Sequence, residues 1–309
     1  MAVRVLLVAV LVAVVVAPAA GARRTPSPSL APYAGLGTWL DIYATSYWDN
    51  PEQQVAAMAR DGVKTLYLQT GNYDQLANRK ELGRFIDAAH AHGLRVVAWY
   101  LPSFASPEQD ARRALAAIRF RSARGERFDS FALDIEASIV TSEVLRNQRL
   151  LSLSERLRRA AGPGYALGAI IPSPLGMIRH PHYWRSFPYR AVARLYDVFL
   201  PMAYFTDHHV HGIRRVRSYL AADVAVIRHR TGNPHVPIHL IGGISGSMTA
   251  TDTTAFMRAV ADCRPLGYSL YAFSVMRRGQ WPKLRGPATD PDGRACTQSG
   301  APAAGSATR

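Results

Sequence analysis

Hydrophobic and polar positions along this chain follow two alternating periods. Eight short apolar runs read as buried strands, at Leu36–Tyr43, Val63–Gln69, Leu94–Leu101, Phe128–Glu136, Ala166–Ile171, Val198–Tyr204, Ile238–Ile244 and Ser269–Met276. Segments of helical period lie between them and carry start and stop signals. Asn50-Pro51-Glu52 opens one that closes at Asp61-Gly62, and another spans Asn78 to His92 before Gly93. Ser106-Pro107-Glu108 opens a third that ends at Gly125, and Thr141-Ser142-Glu143 a long fourth that ends near Gly162. The connection from Ile178 to Tyr196 is aromatic and irregular, a sixth helix lies within Gly212–His229, and a seventh runs from Thr251 to Cys263. Strands alternating with helices imply βα units and a parallel sheet. Eight such units in about 250 residues predict a single-domain α/β protein, a closed (β/α)8 TIM barrel. The rival is a doubly wound open sheet; its dinucleotide-binding form lacks support, because no Gly-x-Gly-x-x-Gly follows the first strand.

The two ends of the chain break these periods. In residues 1–22, Arg4 precedes the apolar run Val5–Val16, Pro18 interrupts it, and Ala20-Gly21-Ala22 offers a small-residue cleavage site. That is the pattern of a secretory signal peptide, too short for a membrane span of about 20 residues, with an uncleaved anchor as the alternative. Residues 23–32 form a Pro/Ser linker, 33–283 the barrel, and 284–309 a loose tail. The expectation is a secreted, extracellular monomer with no stable membrane insertion after cleavage. Export also bears on the cysteines, Cys263 and Cys296, which in an oxidising compartment read as a disulfide closing a 33-residue loop rather than two free thiols.

The net charge of +15 is the balance of 37 basic against 22 acidic residues, and of the basic ones only Lys64, Lys80 and Lys283 are lysines. Many arginines fall on predicted helix faces, as a solvated outer ring or as an attraction for an acidic polymer. No nucleic-acid motif accompanies them, so no nucleic-acid partner is expected.

The barrel hypothesis selects the residues that reach its upper mouth, where strand C-termini carry the chemistry. On the fourth strand, alternation puts Phe131, Leu133 and Ile135 on one face and Ala132, Asp134 and Glu136 on the other. By the same parity Trp39, Asp41 and Tyr43 share the inner face of the first strand, Tyr67 and Gln69 that of the second, Ala98 and Tyr100 that of the third, and Met202 and Tyr204 that of the sixth. Acids inside a barrel are costly unless paired, as in an internal polar network, or functional. Close carboxylates separate one another's proton affinities, so one can donate a proton while its neighbour stays ionised, and glycoside hydrolysis needs such a pair. Aromatic rings for stacking sugars also gather near the proposed strand tops, among them Trp39, Tyr43, Tyr100, Trp184 and Trp281.

Leu133-Asp134-Ile135-Glu136 resembles the fourth-strand Asp-x-Glu of barrel glycoside hydrolases, especially the family 18 chitinases and family 25 lysozymes. Against the family 18 pattern D-x-x-D-x-D-x-E, Asp129, Asp134 and Glu136 match, and Ala132 stands in place of an Asp. Against that family's sixth-strand M-x-Y-D, Met202 and Tyr204 match, and Phe205 replaces the acid. Family 25 pairs an Asp on the first strand with Asp-x-Glu on the fourth, as Asp41, Asp134 and Glu136 would. The resemblance implies Glu136 as general acid, Asp134 orienting an N-acetyl group or stabilising the intermediate, Tyr204 bonding that group, and Asp41 as a second stabiliser. Trp39, Tyr43, Gln69, Tyr100, Met202, Trp184 and Trp281 are the expected substrate-binding residues. The implied function is hydrolysis of an N-acetylated polysaccharide such as chitin or cell-wall glycan, without cofactor. The alternatives are a non-catalytic glycan-binding barrel, which Ala132 and Phe205 favour, and a basic surface-adhesion protein.

Two further clusters fit no fixed pattern. Asp207-His208-His209-Val210-His211 reads as a polar helix start, His180 and His182 are equally unspecific, and no metal site is expected. Gly243-Ile244-Ser245-Gly246 lacks the spacing of a nucleophile elbow.

Overall fold

A computed structural model of the chain describes residues 27–286. The expected signal peptide, residues 23–26 of the linker, residues 287–309 of the tail and Cys296 lie outside the described residues. Eight strands follow in order: β1 (Gly35–Leu40), β2 (Thr65–Asn72), β3 (Arg95–Leu101), β4 (Ser130–Asp134), β5 (Leu167–Pro172), β6 (Val198–Met202), β7 (His239–Ile244) and β8 (Gly267–Tyr271). Each pairs in parallel with the next, and β8 pairs back onto β1, closing the barrel as expected. The helices are α1 (Thr45–Trp48), α2 (Pro51–Arg60), α3 (Arg79–Ala91), α4 (Pro107–Ile118), α5 (Glu143–Ala161), α6 (Pro174–Arg179), α7 (Pro181–Trp184), α8 (Tyr189–Leu195), α9 (Ile213–Thr231), α10 (Ala250–Cys263) and α11 (Trp281–Leu284).

The start signals work by two means. Asn78, Ser142, Ser173 and Thr249 each accept a backbone N–H at the start of α3, α5, α6 and α10. Asn50 and Ser106 make no such bond; there Pro51 and Pro107 start α2 and α4 through a ring torsion already set for the helix. The irregular fifth connection resolves into three short helices, α6, α7 and α8; α6 packs on α9, and α8 lies between α5 and α9 before the chain enters β6.

Alternation divides the apolar residues into two cores. Leu36, Leu40, Leu66, Leu68, Phe131, Leu133 and Ile135 pack outward against the helices. Trp39, Tyr67, Val97, Trp99, Ala132, Ile170, Leu200 and Ile241 fill the interior. At the bottom, Tyr33 plugs the barrel with its hydroxyl on the Phe131 carbonyl, 2.9 Å away. His239 sits there between Tyr67 and Ser269, and burial lowers its pKa to about 4. Only glycine fits at 267, where a Cβ would stand 2.1 Å from the Tyr33 carbonyl oxygen.

The third strand departs from expectation. Trp99 points inward and Tyr100 outward, where its hydroxyl donates to Asp110 Oδ1 at 2.9 Å. Val96 to Tyr100 are all apolar and all buried, so no polar position marks a face and parity had nothing to fix it. The barrel also extends past the expected boundary at 283: Leu284 is fully buried and its carbonyl accepts the Tyr268 hydroxyl at 2.7 Å.

Candidate active site

β4 ends at Asp134, and the chain leaves it in extended form through Ile135 and Glu136. Ile135 stays pinned to the sheet edge, its N–H donating to the Ile170 carbonyl at 2.8 Å. Period-two alternation therefore continues one step past the strand, and Asp134 and Glu136 project on the same inward side. Asp134 is 5 % exposed and makes no hydrogen bond among the described residues; its Oδ1 is sealed from solvent. Burial raises its pKa well above the ordinary carboxylate range, and the charge of Glu136 raises it further. Burial raises Glu136 as well. Two carboxyl groups held this way resist ionising together.

Above them opens a cleft of about 350 Å³. Glu136, Met202 and Tyr204 line it, facing His180, His182 and His208. Tyr204 feels the charges of both Asp134 and Glu136, and its hydroxyl has no hydrogen-bond partner among the described residues; burial raises its pKa. Tyr183 closes the near wall and donates its hydroxyl to the backbone carbonyl of Glu136, which fixes where that residue sits. Behind the far wall Ser173 donates to the buried Asp223 at 3.0 Å, and the Leu175 N–H reaches the same carboxylate at 2.7 Å. That pairing holds the start of α6, and burial keeps the Asp223 pKa up at about 7. Burial and the charge of Arg179 lower the His208 pKa.

Asp41 stands apart from this pair. Its Oδ1 accepts the N–H groups of Tyr43 and Ala44 at 2.9 and 3.0 Å, and its Oδ2 accepts the Tyr271 hydroxyl at 2.8 Å. Both oxygens are engaged, so Asp41 shapes the turn after β1 and positions Tyr271 rather than offering an oxygen to a ligand. Tyr271 in turn lies near Tyr204, with ring centroids 6.0 Å apart, and feels Asp134 and Glu136. The parity rule applied to the eighth strand, on which Ser269 and Tyr271 share the inner face, would have found it.

The expected substrate-binding residues divide. Met202 lines the cleft. Trp39 lies one layer below, stacked on Tyr67 at 4.2 Å with its Nε1 donating to Ser269 Oγ, so it supports the floor. Gln69 is spent on the backbone, accepting the Ile42 N–H at 3.0 Å. Tyr43 is 65 % exposed beyond the rim, its hydroxyl accepting from Asn72. Three are corrections. Tyr100 faces the helices. Trp281 is buried against Phe273, centroids 5.9 Å apart, in the outer core. Trp184 lies under the Arg146 guanidinium at 4.1 Å with its Nε1 bonded to Asn147, so its ring has no face left for the cleft. Asp129, a match to the family pattern, sits at the opposite end of β4, bonding the Val96 N–H and His90. Sequence reasoning set the histidines at 180, 182 and 208 aside; they are some 30 positions apart, and only the folding of α6 and the loop after β6 onto one cleft joins them. No group of three or more His, Cys, Asp or Glu among the described residues is arranged to hold a metal ion.

No protein-family model matches this chain, and no curated protein matches it. Solved structures do. A chitinase from Chromobacterium violaceum superposes with a TM-score of 0.58 at 14 % identity, over 82 % of this chain and 98 % of that one. An endo-beta-1,4-mannanase from Thermotoga petrophila gives 0.59 at 10 % identity, over 78 % and 68 %. The spore cortex-lytic enzyme of Bacillus cereus gives 0.58 at 9 % identity, over 82 % and 73 %. At these identities the likeness establishes the barrel fold, which this chain shares with glycoside hydrolases.

Proposed function

We propose that this protein is a secreted glycoside hydrolase that cleaves an N-acetylated polysaccharide. The observation that carries the reading is that Glu136 and Tyr204 line one cleft with Asp134 buried beside them, the two carboxyl pKa values raised and none of the three side chains hydrogen-bonded among the described residues. Buried polar groups are ordinarily satisfied, so a set left open at a barrel mouth calls for a ligand. Glu136, half-sheltered and with its pKa raised by burial, is suited to deliver a proton to a glycosidic oxygen. Asp134, deeper and adjacent, accepts from a substrate amide N–H or counters the positive charge that develops at the sugar. Tyr204 donates to the same group. A chitinase and a cortex-lytic enzyme among the similar structures agree with an N-acetylated substrate, and the mannanase keeps glycans without N-acetyl groups in view.

Glu136→Gln keeps the shape and removes the proton. Reducing-end release from chitin or peptidoglycan fragments is expected to fall about 100-fold or more while binding persists. Equal release by wild type and variant would falsify Glu136 as the acid. A wild type that binds these fragments and releases nothing would favour the second reading, a non-catalytic glycan-binding barrel. That reading draws on Ala132, fully buried opposite Trp99 and Gly168, and on Phe205, buried in the outer core: neither supplies an acid to the cleft.

A further inference from the structure

A second concavity flanks the cleft, with a volume of about 730 Å³. It lies among α6, α7, α8 and the last turns of α9. Its floor is apolar, with buried Trp184 and Phe187 beneath. Around it stand the guanidinium groups of Arg185, Arg190, Arg194 and Arg230, all exposed. Among the described residues none of the four makes an ion pair. Other arginines do find acids: Arg84 meets Glu52 at 2.7 Å, Arg156 Glu108 at 2.6 Å and Arg217 Asp262 at 2.6 Å. The acids nearest the groove are turned away from it. Glu143 accepts the N–H and hydroxyl of Ser186, and Asp223 is buried on Ser173 and Leu175. Four uncompensated positive charges around one hollow raise the local concentration of anions.

The groove adjoins the cleft. Met177 lines both, and α6, the wall they share, ends in Arg179 and leads into His180 on the cleft side. We propose that the groove is an exosite for an anionic polysaccharide, a further stretch of the polymer whose glycosidic bond reaches Glu136. Its sugar rings rest on the apolar floor and its carboxylate substituents meet the four guanidinium groups. This deepens the reading of the cleft as a glycan site and rests on it. A membrane surface fits less well, because the aromatic floor is sunk rather than protruding and Ile178 is the one large aliphatic side chain of the lining that stands exposed.

The test uses the full chain carrying Glu136→Gln, so that nothing is cleaved, and calorimetric titration with carboxymethylated chitin oligomers against neutral chitin oligomers of equal length. The carboxymethylated ligand is expected to bind more tightly at low salt, with the advantage shrinking at high salt as exposed charges are screened. Replacing Arg185, Arg190, Arg194 and Arg230 by Gln is expected to raise its Kd about 30-fold, at a factor of about 2.3 for each exposed pair. The same four positions as Lys are expected to keep most of the affinity. Should the fourfold Gln variant fail to fold, Arg185/Arg194→Gln and Arg190/Arg230→Gln are each expected to give about 5-fold. Equal affinity for charged and neutral oligomers, or no loss in the Gln variants, overturns the proposal. Tighter binding to phosphatidylglycerol-containing vesicles than to the oligomer, lost in the same variants, reassigns the groove to a membrane surface. The two readings fail separately: a Gln variant that loses binding while wild type releases no reducing ends keeps the exosite and removes the hydrolase.

Discussion

Asp41→Ala tests whether that carboxylate is structural or catalytic. The side chain accepts three hydrogen bonds of 2.8 to 3.0 Å, from two backbone N–H groups and from Tyr271. A hydrogen bond to a charged group contributes about 1.5–3 kcal/mol, so three would sum to roughly 5–9 kcal/mol if every donor were left dry. They are not, since the turn meets solvent and Tyr43 is 65 % exposed. Water replaces the acceptor for the outer N–H groups, and the expected net loss is about 2–4 kcal/mol. For a barrel of this size that lowers Tm by about 5–12 °C, measured by scanning calorimetry. Tyr271→Phe removes one of the three bonds and is expected to cost about 1–2 kcal/mol. Because both changes delete the same contact, the double variant should fall short of additivity by about 1 kcal/mol. Asp41→Asn retains an acceptor for the turn and should recover part of the loss, with glycan binding close to wild type. A Tm unchanged in Asp41→Ala, or strict additivity with Tyr271→Phe, refutes the positioning role. A 100-fold loss of hydrolysis by Asp41→Asn at unchanged Tm would put Asp41 back among the catalytic groups.

Three other outcomes follow from the same structure. His90 bonds Asp129 and Glu126, which raise its pKa to about 8, so its stabilising charge is complete below the unfolded value near 6.5 and is lost as pH rises through 8. His90→Gln is expected to flatten the fall in Tm across that window, worth about 1 kcal/mol for a partly exposed group, and an unchanged slope would assign the pH dependence elsewhere. Tyr100→Phe is expected to destabilise by about 1–2 kcal/mol through the lost bond to Asp110 and to leave glycan affinity alone; weaker binding at unchanged stability would return Tyr100 to the substrate set. Thiol titration of the denatured protein, produced in an oxidising compartment, is expected to find no free cysteine, and two thiols per chain would rule out the Cys263–Cys296 bridge.

The barrel was legible because it is written in period. Strands and helices each need one buried stripe, and in β1, β2, β4 and β6 a clear alternation set both the element and the face, so Asp134, Glu136, Tyr204 and Asp41 were placed inward correctly. Where the alternation vanished the face was lost: β3 is apolar on both sides, and Tyr100 and Trp99 exchanged roles. Other properties depended on contacts between distant parts of the chain. Whether a carboxylate is free for chemistry depends on its partners, and only tertiary structure showed that Tyr271 comes across 230 positions to occupy Asp41 while no described residue bonds Asp134. Trp184 and Trp281 read as sugar platforms by residue type, but the aromatic faces are used by Arg146 and Phe273. His180, His182 and His208 and the four arginines around the groove carry no signal in spacing; they came together because short helices without a period of their own pack beside a barrel whose geometry the sequence had already dictated.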